Sequence, residues 1–116
     1  MGQLHALGAN VVIVAILFTG LAAAVIALRG GSPWTDWLRL GLTGLIGLQV
    51  LGGALVLLGG GQPGETLHLL YGAVGLVVLP AAGSFAESAP PPDRAWVLLV
   101  ACCLLLLLAW RLASTG

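Results

Sequence analysis

The residues in this sequence best suited to chemistry are its two histidines, His5 and His68. Each opens an apolar stretch: His5 the first, His68 the third. Imidazole ligates metals and carries protons near neutral pH. An ionisable side chain inside a membrane is costly, so each one is a functional hypothesis by default. Two imidazoles at matched depth on parallel helices can hold one haem iron from both faces, in a bundle core of the kind where such cofactors sit. The structural alternative is an amphipathic histidine at the membrane interface, with His5 facing water.

A flat macrocycle between helices needs room, and small residues gather near both histidines. On the His68 face, positions i+4 and i+7 are Gly72 and Gly75. Near His5 stand Gly8, Ala9 and Val12, and the second stretch brings Gly52 and Gly53 to a similar level. The same glycines also suit close helix packing alone. Tyr71 lies about one turn inside His68, where its hydroxyl could meet a haem propionate or a lipid head group. Arg111, read on the same side, is a candidate propionate partner. The candidate cofactor site is therefore His5, His68, Gly8, Gly52, Gly53, Tyr71, Gly72, Gly75 and Arg111, with His5 and His68 as metal ligands.

The elements that must position these residues are membrane helices. The 116-residue chain is 59% hydrophobic and 7% charged, against about 25% charged in a soluble domain. Four arginines balance four acids, and there is no lysine. No clustered basic face is present, which argues against nucleic acid as a partner. The charges divide the chain into apolar runs, the first being the 23 residues Ala6 to Leu28. A span needs about 20 apolar residues for a hydrocarbon core of about 30 Å. The last run, Ala95 to Trp110, has only 16, but Arg94 and Arg111 can snorkel outward while Trp96 and Trp110 suit the interfaces. The sequence predicts an all-α membrane bundle of one domain, up-down in topology, with helices near 4–29, 35–58, 65–83 and 93–113.

The connections fit this division. Gly30-Gly31-Ser32-Pro33 breaks the chain after the first span. The run Gly59 to Gly64 reads as a tight turn, with Glu65 in the first turn of the third helix, where the dipole favours a negative charge. Ala89-Pro90-Pro91-Pro92 reads as a stiff connector, and Pro80 as a kink or end of the third span. The first span is a retained helix: it lacks a basic n-region and exceeds the apolar length of a signal peptide. Arg29, Arg39 and Arg94 fall on one side and Arg111 on the other. By the positive-inside rule, both termini and both histidines lie outside, in an inner (plasma) membrane.

The stretch Leu48-Gln49-Val50-Leu51-Gly52-Gly53-Ala54, a short turn and then Leu67-His68-Leu69-Leu70 resembles the haem A synthase family. There, a helix with a Gln-x-x-x-Gly-Ala type run precedes a helix opened by a haem-ligating histidine. His5 stands in the place of that family's partner histidine, and the resemblance covers roughly residues 4–80. It implies a four-helix bundle with His5 and His68 as bis-histidine ligands to haem b near the outer surface. The sequence departs from the family in two ways: no acid precedes His5, and Ala6 follows it where the family has Arg. Two histidines also serve one haem, while the oxidation of a haem methyl needs a second haem site. The resemblance therefore supports the scaffold more than the enzyme.

The remaining polar residues are few. Asn10 and Gln49 are the amides expected deep in spans, bonding to each other, a haem edge or a quinone head group, or serving as interhelical glue. Thr19 and Thr43 can bond back to their own helices. Trp34 and Trp37 belong to an aromatic belt opposite the histidines. Cys102 and Cys103 are helix neighbours about 100° apart, so they do not pair. No paired-carboxylate site, nucleophile with base, phosphate loop or metal-spaced cluster is present.

The reading this favours is a small cytochrome b-like subunit of a respiratory or photosynthetic complex, with other membrane chains or quinone as electron partners. Its rivals are a cofactor-free accessory subunit and a haem A synthase-type enzyme. A histidine on a chlorophyll-type magnesium is a further variant. A small multidrug transporter is disfavoured because no acid lies within a span.

Overall fold

The computed structural model describes residues 2–62 and 66–115. Four α-helices account for nearly all of them: α1 (Gly2–Leu28), α2 (Trp34–Leu58), α3 (Leu67–Phe85) and α4 (Pro91–Thr115). All four are long and apolar enough to cross a membrane. At about 1.5 Å per residue, the 27 residues of α1 reach beyond a hydrocarbon core of about 30 Å. The bundle measures 48 × 21 × 20 Å.

Glycine ends the first two helices by the same device. Gly30 takes φ 91° and Gly60 φ 94°, a left-handed conformation that costs a residue without Cβ little. The chain then turns back on its own carbonyls. Gly31 N–H donates to Ile26 O at 2.8 Å and Gly30 N–H to Ala27 O at 3.2 Å, while Gly61 and Gly60 donate to Val56 and Leu57. Both are Schellman closures, which satisfy carbonyls that helix geometry leaves open. Ser32 Oγ then accepts the Trp34 N–H at the start of α2.

The prolines behave differently from the sequence expectation. α4 begins at Pro91, so Pro91 and Pro92 lie in its first turn rather than in a connector. A helix tolerates proline there because those N–H groups have no partner in the helix anyway. Asp93 follows in the same turn, where the dipole favours an acid. This start gives α4 its 25 residues, well beyond the 16-residue apolar run. α3 runs past Pro80 to Phe85. Glu65, expected in the first turn of α3, falls outside the described residues, as do Pro63 and Gly64 of the preceding turn.

Each helix packs on its neighbours in chain order, and α4 closes the ring against α1. α1 and α3 sit on a diagonal, with no Cα–Cα approach within 8 Å among the described residues. The core is narrow: Ile16, Ala23, Leu42, Ile46, Leu79, Leu98, Ala101, Cys102 and Leu105. Cys102 is buried, Cys103 is exposed, and both thiols are free. Outside this seam the surface is apolar, with Leu58 85% and Phe85 81% exposed. Contiguous apolar surface on this scale suits lipid rather than water.

Candidate functional site

His5 lies in the second turn of α1 and His68 in the first turn of α3, so both sit at one end of the diagonal that separates these helices. Their rings meet across it, with centroids 6.3 Å apart and planes at 72°. The contact is edge-on rather than stacked. Two imidazoles sharing one metal atom through bonds of about 2 Å would hold their centroids about 6 Å apart. The separation is that of an ordinary edge-on ring contact and also that of two imidazoles on opposite sides of one metal atom.

Each ring is held by a second group. Gln49 Nε2 lies 2.7 Å from His5 O and donates to it, which fixes that atom as the amide nitrogen. The same Nε2 lies 3.2 Å from His5 Nδ1, so Nδ1 accepts and a neutral His5 carries its proton on Nε2. His68 Nδ1 lies 3.0 Å from Leu112 O. A carbonyl only accepts, so Nδ1 donates and Nε2 of neutral His68 keeps its lone pair. A backbone acceptor on Nδ1 is the usual orienting contact of a histidine ligand. Leu112 is in the last turn of α4, at the negative end of its dipole.

Small residues let these side chains cross between α1 and α2. A Cβ on Gly53 would stand 2.9 Å from His5 Cε1. A Cβ on Gly8 would collide with Gln49 Oε1. The two helices thus exchange partners: each places a polar side chain over the other's glycine. The sequence reading gave Gly8 and Gly53 to a macrocycle, and the structure gives them to Gln49 and His5. Gly52, Gly72 and Gly75 are different, since a Cβ on any of them would meet nothing within 4 Å.

Arg111 and Tyr71 stand at the same end. The Arg111 guanidinium donates to Tyr71 Oη at 3.3 Å and lies 5.5 Å from the Tyr71 ring and 5.6 Å from that of Trp110. The cation–π geometry holds the charge close to the protein. Asn10 is not part of the site: it is exposed on α1, and Gln49 meets His5 instead. The signal for that contact was the spacing of Gln49 and Gly53, i and i+4 on one face of α2. The Leu112 carbonyl is a backbone group and left no mark in the sequence.

As a donor set, the described residues of the site offer two imidazoles. Among the described residues no group of three or more His, Cys, Asp or Glu side chains could hold a metal ion. A bare ion needing four protein ligands is poorly served. A metal that brings its own equatorial ligands, such as haem iron, needs only two axial ones. Compared with known proteins, the chain matches no family model, no curated protein and no solved structure.

Proposed function

We propose that this chain is a small cytochrome b-like membrane subunit that holds one haem b between α1 and α3 through His5 and His68. It would serve electron transfer within a larger respiratory or photosynthetic complex. The observation that carries the reading is the 6.3 Å edge-on approach of the two rings across the diagonal. The resemblance of residues 48–70 to haem A synthases supports it.

The chain's own residues would bind, orient and balance charge. His68 is already in the ligating tautomer, with Nδ1 donating to Leu112 O. His5 must move its proton from Nε2 to Nδ1, which requires the Gln49 amide to turn and offer its oxygen. Arg111, steadied by Tyr71 and Trp110, suits a propionate. Bound haem would supply one-electron chemistry, and the protein would tune its potential through burial and second-shell bonds. Electron partners would be other membrane chains or quinone, and the arginine balance favours an outer position for the histidine end.

A second reading is a cofactor-free accessory subunit. It is favoured by the two donations of Gln49 to His5, which make the histidine end a finished polar clamp. A haem A synthase-type enzyme would need a second haem site, for which the chain has no further histidines.

Haem titrated into the detergent-purified protein separates these readings. Tryptophan quenching that saturates at one haem per chain supports the cytochrome. A chain that binds no haem supplied in excess is the accessory subunit.

A further inference from the structure

The end of the bundle opposite the histidines holds a cavity of about 580 Å³ between α2, α3 and α4. Its lining includes Thr35, Asp36, Arg39, Gly83, Glu87 and Arg94. These charges are used unequally. Arg94 spends its guanidinium on the protein: Nε donates to Ala89 O at 2.9 Å, one terminal nitrogen to Glu87 O at 2.6 Å, and the other faces Asp36 at 3.6 Å. Arg39 makes no hydrogen bond or ion pair with its side chain among the described residues, and its Nε is shut from solvent without an acceptor.

A second orphan lies beside it. Thr35 is 4% exposed, and its buried Oγ1 has no hydrogen-bond partner. Thr35 and Arg39 are i and i+4 on α2, one turn apart on the same face. Across the cavity, a Cβ on Gly83 would come 2.5 Å from Arg39 Cζ, so the guanidinium lies flat against α3. The cavity lining thus holds a hydroxyl and a guanidinium nitrogen that are both buried and without a hydrogen-bond partner. Buried polar groups are rarely left without partners, and a guanidinium fork with a hydroxyl beside it matches an oxyanion.

We propose that this cavity binds a phosphate-bearing anion through Arg39 and Thr35. Asp36 is occupied by Arg94, and Glu87 is exposed at the rim. Of the two arginines that line the cavity, Arg39 is therefore the uncommitted one among the described residues, and the site suits a singly charged phosphodiester better than a polyanion. Depth agrees with a lipid head group: Arg39 lies about half a turn beyond the exposed Trp37 and about one and a half turns beyond the exposed Trp34, residues of the kind that mark the membrane interface. The proposal is independent of the histidine end.

The test is native mass spectrometry of the full chain in detergent, titrated separately with phosphatidylglycerol and with inorganic phosphate. Arg39→Gln and Thr35→Val probe the site, Arg29→Gln is the control on an exposed arginine, and circular dichroism checks each fold. Binding of phosphatidylglycerol should weaken by about tenfold or more in Arg39→Gln, since charged hydrogen bonds are lost. It should weaken less in Thr35→Val and hold in Arg29→Gln. Inorganic phosphate bound with the same dependence, without lipid, would assign the site to a free anion. Equal binding of both probes by wild type and Arg39→Gln would overturn the proposal.

Discussion

The exchange of side chains between α1 and α2 predicts a coupling that a double-mutant cycle can read. Gly8→Ala places a methyl group on the Gln49 amide, which supplies the three atoms nearest to that position. The amide cannot simply withdraw, because its Nε2 is held 2.7 Å from His5 O. Overpacking of this kind costs about 1–3 kcal/mol. Gln49→Ala alone loses the two contacts to His5, at about 0.6 kcal/mol per interhelical hydrogen bond in a membrane, so about 1 kcal/mol. In the Gln49→Ala background the obstacle is gone. Gly8→Ala should then be neutral, or stabilising by up to about 1 kcal/mol from helix propensity. The predicted coupling is about 1–4 kcal/mol, read from SDS-induced unfolding in micelles followed by far-ultraviolet circular dichroism. Equal costs for Gly8→Ala in both backgrounds would refute the exchange.

Other perturbations test the packing and the turns by the same unfolding assay. Gly30→Ala forces a Cβ onto a backbone at φ 91° and should cost about 1–2 kcal/mol, while Gly41→Ala, at a helical position with open space, should not destabilise. Leu98→Ala, at a side chain 1% exposed, should cost about 2–5 kcal/mol, against a small effect for Leu58→Ala on the lipid face. Arg94→Gln should cost about 1–2 kcal/mol, most of it from the two carbonyl bonds, since the half-exposed pair with Asp36 adds little. That loss should therefore change little with added salt.

Much of the fold was legible because charges are rare enough to punctuate it. Arg29 and Glu87 lie just beyond the ends of α1 and α3, Arg39 and Arg94 lie in the first two turns of α2 and α4, and the glycines at 30–31 and 59–61 close two of the helices as turn chemistry requires. The two prolines at 91–92 misled the boundary of α4, because a connector and a helix first turn share the same sequence signal. The histidine pair was legible from depth alone: alternate helices of an up-down bundle run parallel, so His5 and His68 had to share an end. What each glycine faces was not legible. Gly8, Gly53, Gly72 and Gly75 are one residue type, and only the packing separates those covered by Gln49 and His5 from those beside open space. The Thr35 and Arg39 pair was hidden for a similar reason. An arginine near a span end reads as a topology signal, and its lack of a partner is a property of three helices together.

Ligation of one haem by His5 and His68 together, as proposed, is read out by a reduced-minus-oxidised absorption spectrum. The purified wild type, His5→Ala and His68→Ala would be expressed with haem in plentiful supply and compared. The expected result is a low-spin b-type α-band in the wild type, lost or shifted to a high-spin form in each single variant, because each removes one axial ligand. A wild-type band that survives unchanged in either variant, or a colourless wild type, would contradict it.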